Sequence, residues 1–125
     1  MEKTLQILVI DDEAIAVKRL KAYLEKLNYL VEGYENPLDA LQRIKEKDFD
    51  IVITDVRMNE IDGIEILSEV RAKSERTKVI MITGYAMMEL ARQAMEKGAY
   101  DFIAKPFKPE ELLRVVLRAA DTPGS

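Results

Sequence analysis

The chain has no cysteine, no histidine and no tryptophan. Without cysteine there can be no disulfide, thiol nucleophile or thiolate metal site. Without histidine the commonest general base and the commonest transition-metal ligand are both gone. Any chemistry must run on carboxylates, hydroxyls, lysines and a hard cation held through oxygen. No apolar run approaches the roughly 20 residues of a membrane span. The opening MEKTLQILVIDDE has too short an apolar stretch, with the wrong flanks, for a signal peptide. The expected location is therefore the cytoplasm, with no membrane contact. The net charge of −4 argues against direct binding of nucleic acid.

What is present fits one globular domain. The 125 residues are enough to bury a real core, and 48% hydrophobic with 34% charged residues is an ordinary balance for one. Hydrophobic period alternates between short strand-like runs and longer helical patterns. LQILVI (5–10) is a continuous apolar run that ends in acid. Over 14–27 a helical face carries Val17, Leu20, Leu24 and Leu27. YLVEGY (29–34) reads as a second strand. Asn36-Pro37 then supplies a cap and a proline at the first helical position, opening a helix to about residue 47. FDIVIT (49–54) is the third strand, followed by a helix over about 64–73. VIMIT (79–83) is the fourth, followed by a helix over about 86–97 that Gly98 stops. YDFIA (100–104) is the fifth, and Pro109 opens a last helix to about 120.

Strands alternating with helices imply a parallel sheet covered on both faces. Strands 1, 3 and 4 are the most uniformly apolar, as central parallel strands are. Strand 2 carries Glu32 and Gly33, and strand 5 carries Asp101, which suits sheet edges. The expected fold is a doubly wound α/β sheet of five parallel strands, order 2-1-3-4-5, with five helices. Its ligand crevice lies at the carboxyl ends of the strands.

On that rim the chain places Asp11, Asp12 and Glu13 after strand 1, Asp55 after strand 3, Thr83 after strand 4 and Lys105 after strand 5. Two carboxylates about 5 Å apart repel by roughly 3 kcal/mol at an effective dielectric near 20. Such a cluster calls for a cation, and oxygen ligands without His or Cys select Mg²⁺, Mn²⁺ or Ca²⁺. Mg²⁺ fits best because it keeps positions open for water or phosphate. A carboxylate beside it can attack phosphorus and form an acyl phosphate. Lys105 and the Thr83 hydroxyl would then meet the transferring oxygens. Each residue also has an ordinary explanation, since acids cap helices and Asp, Thr-Gly and Lys-Pro are common in turns. Their convergence on one rim favours phosphoryl chemistry.

The stretches IDDE, TDVRMNEIDGIEIL, VIMITGYA and GAYDFIAKPFKPEEL resemble the receiver domain of bacterial two-component response regulators, from about Leu5 to Ala120. ITGYA with GAYDFIAKPF is most similar to receivers of NtrC-type, σ54-dependent activators. The resemblance implies a flavodoxin-like, CheY-like fold and a phosphorylation-dependent switch. It makes Asp55 the phosphoacceptor. It makes Asp12 and Asp55 direct Mg²⁺ ligands with the backbone carbonyl of Arg57, and Asp11 a ligand acting largely through water. Thr83 becomes the switch hydroxyl, Lys105 the phosphate-bridging lysine, and Phe102 the rotating switch aromatic. The Lys105–Pro106 bond is expected to be cis.

The implied donor is a phosphohistidine on a sensor histidine kinase or phosphotransfer protein. Ile15 and Ala16 lie on the surface that commonly docks the kinase. The implied output face joins the fourth helix, fifth strand and fifth helix, with Met87, Met88, Leu90, Arg92, Lys97, Tyr100, Asp101, Lys108 and Arg114. The alternative for Met87 and Met88 is that they fill the core. The output would be an attached domain or effector, most often controlling transcription, or a phosphorylation-linked homodimer. Residues 1–120 would form the receiver, and 121–125 a flexible tail or the start of a linker.

Asn59 departs from the proline many relatives carry there. Arg57 and Tyr85 flank the path of the hydrolytic water, and neither is an evident base, so self-dephosphorylation should be slow. The domain is then not an enzyme beyond its own phosphorylation and slow autodephosphorylation. One alternative is a stand-alone phosphorelay or single-domain regulator. A weaker one is an Asp-nucleophile phosphohydrolase, which needs a second Asp where Asp55-Val56-Arg57 supplies Arg.

Overall fold

A computed structural model of the protein describes residues 4–56, 58 and 62–121, with only the backbone described at Tyr85. The chain runs β1 (Gln6–Ile10), α1 (Ala14–Lys26), β2 (Leu30–Tyr34), α2 (Pro37–Glu46), β3 (Ile51–Asp55) and α3 (Gly63–Lys73). It continues through β4 (Lys78–Thr83), a single 3-10 turn (Tyr85–Met87), α4 (Met88–Glu96), β5 (Asp101–Ala104) and α5 (Pro109–Asp121). The five strands form one sheet, β2-β1-β3-β4-β5, and every neighbouring pair is parallel.

The burial pattern explains the strand order. Ile7, Leu8, Val9, Ile51, Val52, Ile53, Val79, Ile80 and Met81 are all sealed from solvent, so β1, β3 and β4 occupy the middle. Such strands need helices on both faces. Alternate strand side chains meet two separate apolar layers. Leu8, Ile10, Val52, Val79 and Met81 pack with Ala40 and Ile44 of α2, Ile66, Leu67 and Val70 of α3, and Ala94 of α4. Ile7, Val9, Ile51, Ile53, Ile80 and Ile82 pack with Leu24 of α1 and with Leu112, Val115, Val116 and Ala119 of α5. The α5 contacts recur at i, i+3, i+4 and i+7, the stripe of an amphipathic helix.

Helix ends follow local chemistry. The Asn36 side chain accepts from the Leu38 amide at 2.8 Å, with Pro37 at the first helical position. Asp62 caps α3 by accepting from the Glu65 amide at 2.9 Å. Gly98, at φ 107°, ends α4 in the left-handed region where a side chain is penalised. The last helix reaches Asp121, one residue past the expected domain edge, and residues 122–125 of the expected tail lie outside the described residues. Among the described residues no helix is long and apolar enough to cross a membrane.

Candidate functional site

Three strands deliver the acidic rim. The Asp55 carboxylate stands at the last residue of β3, and Lys105 follows β5. Fifty residues apart in sequence, they meet with Lys105 Nζ 2.7 Å from Asp55 Oδ2. The same ammonium lies 3.8 Å from Asp11 Oδ2, one residue beyond β1. Lys105 is held in place by its own backbone, since its amide donates to the Thr83 carbonyl at 2.7 Å. Its bond to Pro106 is cis, as the resemblance implies.

Asp11 is the most confined of these groups, only 1% exposed. Its Oδ1 accepts from the Glu13 amide at 2.9 Å, the helix-capping role open to any acid at that position. Its Oδ2 is buried and has no hydrogen-bond partner among the described residues. Burial pushes the Asp11 carboxyl up to about 6, the Glu13 amide opposes this, and the nearby charge of Asp55 adds to it. Lys105 draws it back in part, while Asp12 raises it further. For Lys105, burial works against the ammonium, but the hydrogen bond to Asp55 and the charges of Asp55 and Asp11 outweigh it, and the net shift is upward.

The remaining expected residues fall around this core. Asp12 is half-buried beside Asp11, and Glu13 is exposed at the head of α1. Thr83 is sealed from solvent at the end of β4, and Ile82 beside it pairs in register with Asp55. Its hydroxyl donates to the Gly84 carbonyl at 3.0 Å. Phe102 is half-buried against the layer of α2, α3 and α4. Arg57, Asn59 and the tyrosine side chain at 85 lie outside the described residues. Ile15 is 64% exposed at the start of α1, an apolar side chain left in solvent beside the acidic rim.

The expected output face is only partly surface. Met87 and Leu90 pack against the core layer beneath α4, and Tyr100 packs on the α1–α5 side. Arg92 pairs with Glu89 at 3.3 Å, and Asp101 with Arg118 at 3.0 Å. Met95, absent from the expected set, is the exposed methionine of α4. Its exposure was not legible, because helical phase alone does not say where α4 turns its back to the sheet.

A divalent cation suits this donor set. The ligands are hard oxygens, and a buried carboxylate oxygen without a hydrogen-bond partner is what an oxygen-seeking cation would satisfy. Among the described residues no three acidic side chains are already gathered as a cage. In this arrangement the Lys105 ammonium provides the positive charge between Asp11 and Asp55.

Comparison with known proteins agrees with this geometry. Residues 7–117 match the family model of the response regulator receiver domain. The transcriptional regulatory protein ZraR of Klebsiella oxytoca is 38% identical over 106 residues, covering 85% of this chain and 24% of that protein. The chemotaxis protein CheY of Listeria monocytogenes is 34% identical over 117 residues, covering 93% of this chain and 98% of that one. The crystal structure of NtrX from Brucella abortus superposes with a TM-score of 0.86 at 31% identity, over 94% of this chain and 27% of that chain. The chain thus spans about a quarter of the length of ZraR. With a five-stranded parallel sheet in the order 2-1-3-4-5 and Lys105 folded back onto Asp55, this chain belongs to the response regulator receiver domains, the phosphorylation-dependent switches of two-component signalling, and is NtrC-like among them.

Proposed function

We propose that Asp55 is the phosphoacceptor, and that the donor is a phosphohistidine on a sensor histidine kinase or phosphotransfer protein. An Asp55 carboxylate oxygen attacks phosphorus, the P–N bond breaks, and the departing imidazole nitrogen keeps the electron pair. The observation that carries this reading is the 2.7 Å contact between Lys105 Nζ and Asp55 Oδ2. That ammonium stands where negative charge would build on the transferred group.

Asp11, Asp12, Asp55 and the Arg57 carbonyl are the groups that would hold Mg²⁺. When bound, the ion neutralises charge on the phosphoryl oxygens. Asp11 supplies a buried anionic oxygen, and Lys105 holds the acceptor carboxylate. The Thr83 hydroxyl, now given to Gly84, turns to donate to the phosphoryl group. Its departure opens room for Phe102 to move further into the layer it already touches. Phosphate adds about −1.5 to −2 charge at the rim, which favours the rearranged form by population shift.

The face of α4, β5 and α5 then carries the signal to an attached output domain, an effector or a second copy. ZraR sets a precedent for an output in transcription. We place the domain in the cytoplasm, with self-phosphorylation and slow autodephosphorylation as its whole catalytic repertoire. Incubation with Mg²⁺ and acetyl phosphate should add the mass of one phosphoryl group to the parent and nothing to Asp55→Asn. Phosphorylation that persists in Asp55→Asn would overturn the assignment.

A further inference from the structure

Thr54 is completely buried in β3, one residue before Asp55. Its neighbours on the same face of the strand, Val52 and Val56, belong to the apolar layer beneath α2, α3 and α4. Valine has the same shape as threonine, and a buried hydroxyl is costly unless it is hydrogen-bonded. The hydroxyl therefore calls for an explanation that packing does not give.

The Thr54 Oγ1 reaches two acceptors. It lies 3.1 Å from the Asp55 carbonyl oxygen and 4.0 Å from Met58 Sδ. It has one proton to give, and the carbonyl is the stronger acceptor. The other end of that same peptide is also held, because the Val56 amide donates to the Ile82 carbonyl at 2.9 Å. Next, the Gly63 amide donates to the Val56 carbonyl at 2.7 Å, pinning the head of α3 to the strand end. The Asp55–Val56 peptide is thus fixed at its carbonyl by Thr54 and at its amide by β4. Holding that peptide at both ends restrains the backbone on the carboxyl side of the Asp55 Cα from which the reacting side chain departs.

We propose that Thr54 is a positioning residue for the phosphoacceptor. It spends its buried hydroxyl on the Asp55 carbonyl, with Met58 Sδ 4.0 Å away on the same side. The proposal rests on the reading of Asp55 as phosphoacceptor.

Thr54→Val and Thr54→Ser of the full chain separate this role from packing. Val keeps the shape and loses the hydroxyl, while Ser keeps the hydroxyl. The expected result for Val is a melting temperature at or above the parent's, with phosphorylation by acetyl phosphate slowed about ten-fold through misplacement of the reacting carboxylate. Ser should restore the rate. In metal-free protein the Asp55 carbonyl carbon resonance should move in Val and stay near the parent's in Ser, a readout that needs no phosphorylation. A Val variant with the parental rate and an unmoved carbonyl resonance overturns the proposal. So does a rate that falls in Val and in Ser alike. Failure of the parent to accept phosphate on Asp55, with the resonance shift still present, would sink the phosphoacceptor reading and leave the hydrogen bond standing.

Discussion

Gly63 stands so close to Asp55 that a Cβ at position 63 would lie 2.5 Å from the Asp55 carbonyl oxygen. The same atom would meet Met81 Cε at 2.8 Å and Val56 Cα at 3.0 Å. Two of these neighbours are backbone, so the strand end itself would have to shift. Gly63→Ala should cost about 2 kcal/mol in urea unfolding, within the usual range for overpacking. It should also slow phosphorylation, because the displaced segment carries the acceptor. Gly84 provides the control: nothing lies within 4 Å of a Cβ there, and Gly84→Ala should stay within about 0.5 kcal/mol of the parent.

Asp11 keeps a buried carboxylate at a cost. Its raised pKa, about 6, means that the folded state resists ionisation that the unfolded chain accepts freely. The sign follows: with a folded pKa above the unfolded value, stability falls as pH rises from about 4 to 6 and stays lower at neutral pH. Asp11→Asn removes the buried charge while keeping an oxygen for the Glu13 amide. In metal-free buffer at pH 7 it should unfold about 2 kcal/mol later than the parent. Mg²⁺ should raise the parent's melting temperature by more than the variant's. A variant no more stable than the parent without metal would contradict the cost assigned to Asp11. Asp55 already has Lys105 at 2.7 Å, so Asp11 is a better probe of repulsion and burial than Asp55.

Thr83 spends its hydroxyl on a neighbouring carbonyl within a sealed site. Removing it leaves a small void and costs about 1 kcal/mol. Thr83→Ala should still take up phosphate from acetyl phosphate with Mg²⁺, as read by intact mass. The change of the Phe102 ring resonances on phosphorylation should be lost. Full retention of that change would detach Thr83 from the switch.

On the far edge of the sheet, Glu32 gathers four hydrogen bonds from three residues. Arg43 Nε and Nη2 reach it at 2.7 and 3.0 Å, Lys47 Nζ at 3.0 Å, and the Tyr34 hydroxyl at 3.2 Å. The Arg43 hydrogen bond, partly opposed by burial and helped by Lys47, holds the carboxyl down at about 2. A depressed pKa contributes stability above the unfolded value near 4.5 that is lost as pH falls toward 2. Glu32→Gln should lower the melting temperature by about 3 °C at pH 7, and the two proteins should converge near pH 2. An undiminished gap at pH 2 would mean that shape, not charge, sets the effect. The network also secures β2, an edge strand with Leu30 half in solvent.

The sequence by itself determined the alternation of strands and helices, because burial on one or two faces imposes a period that can be counted along the chain. It fixed the strand order as well, since Glu32, Gly33 and Asp101 mark the edges and the unbroken apolar runs mark the centre. It also placed Asp11, Asp55, Thr83 and Lys105 on one rim, for in a parallel sheet all carboxyl ends lie together. Element ends were less legible: the 3-10 turn at 85–87 delays α4, a matter of which carbonyl each amide finds. Only the tertiary structure decided that Lys105 touches Asp55, that Asp11 Oδ2 is sealed without a hydrogen-bond partner among the described residues, and that Met87 and Leu90 lean on the core. Thr54 and Gly63 pass for ordinary strand and turn residues in one dimension. Their bearing on Asp55 depends on contacts of 2.5 and 3.1 Å, which close packing sets and periodicity does not encode.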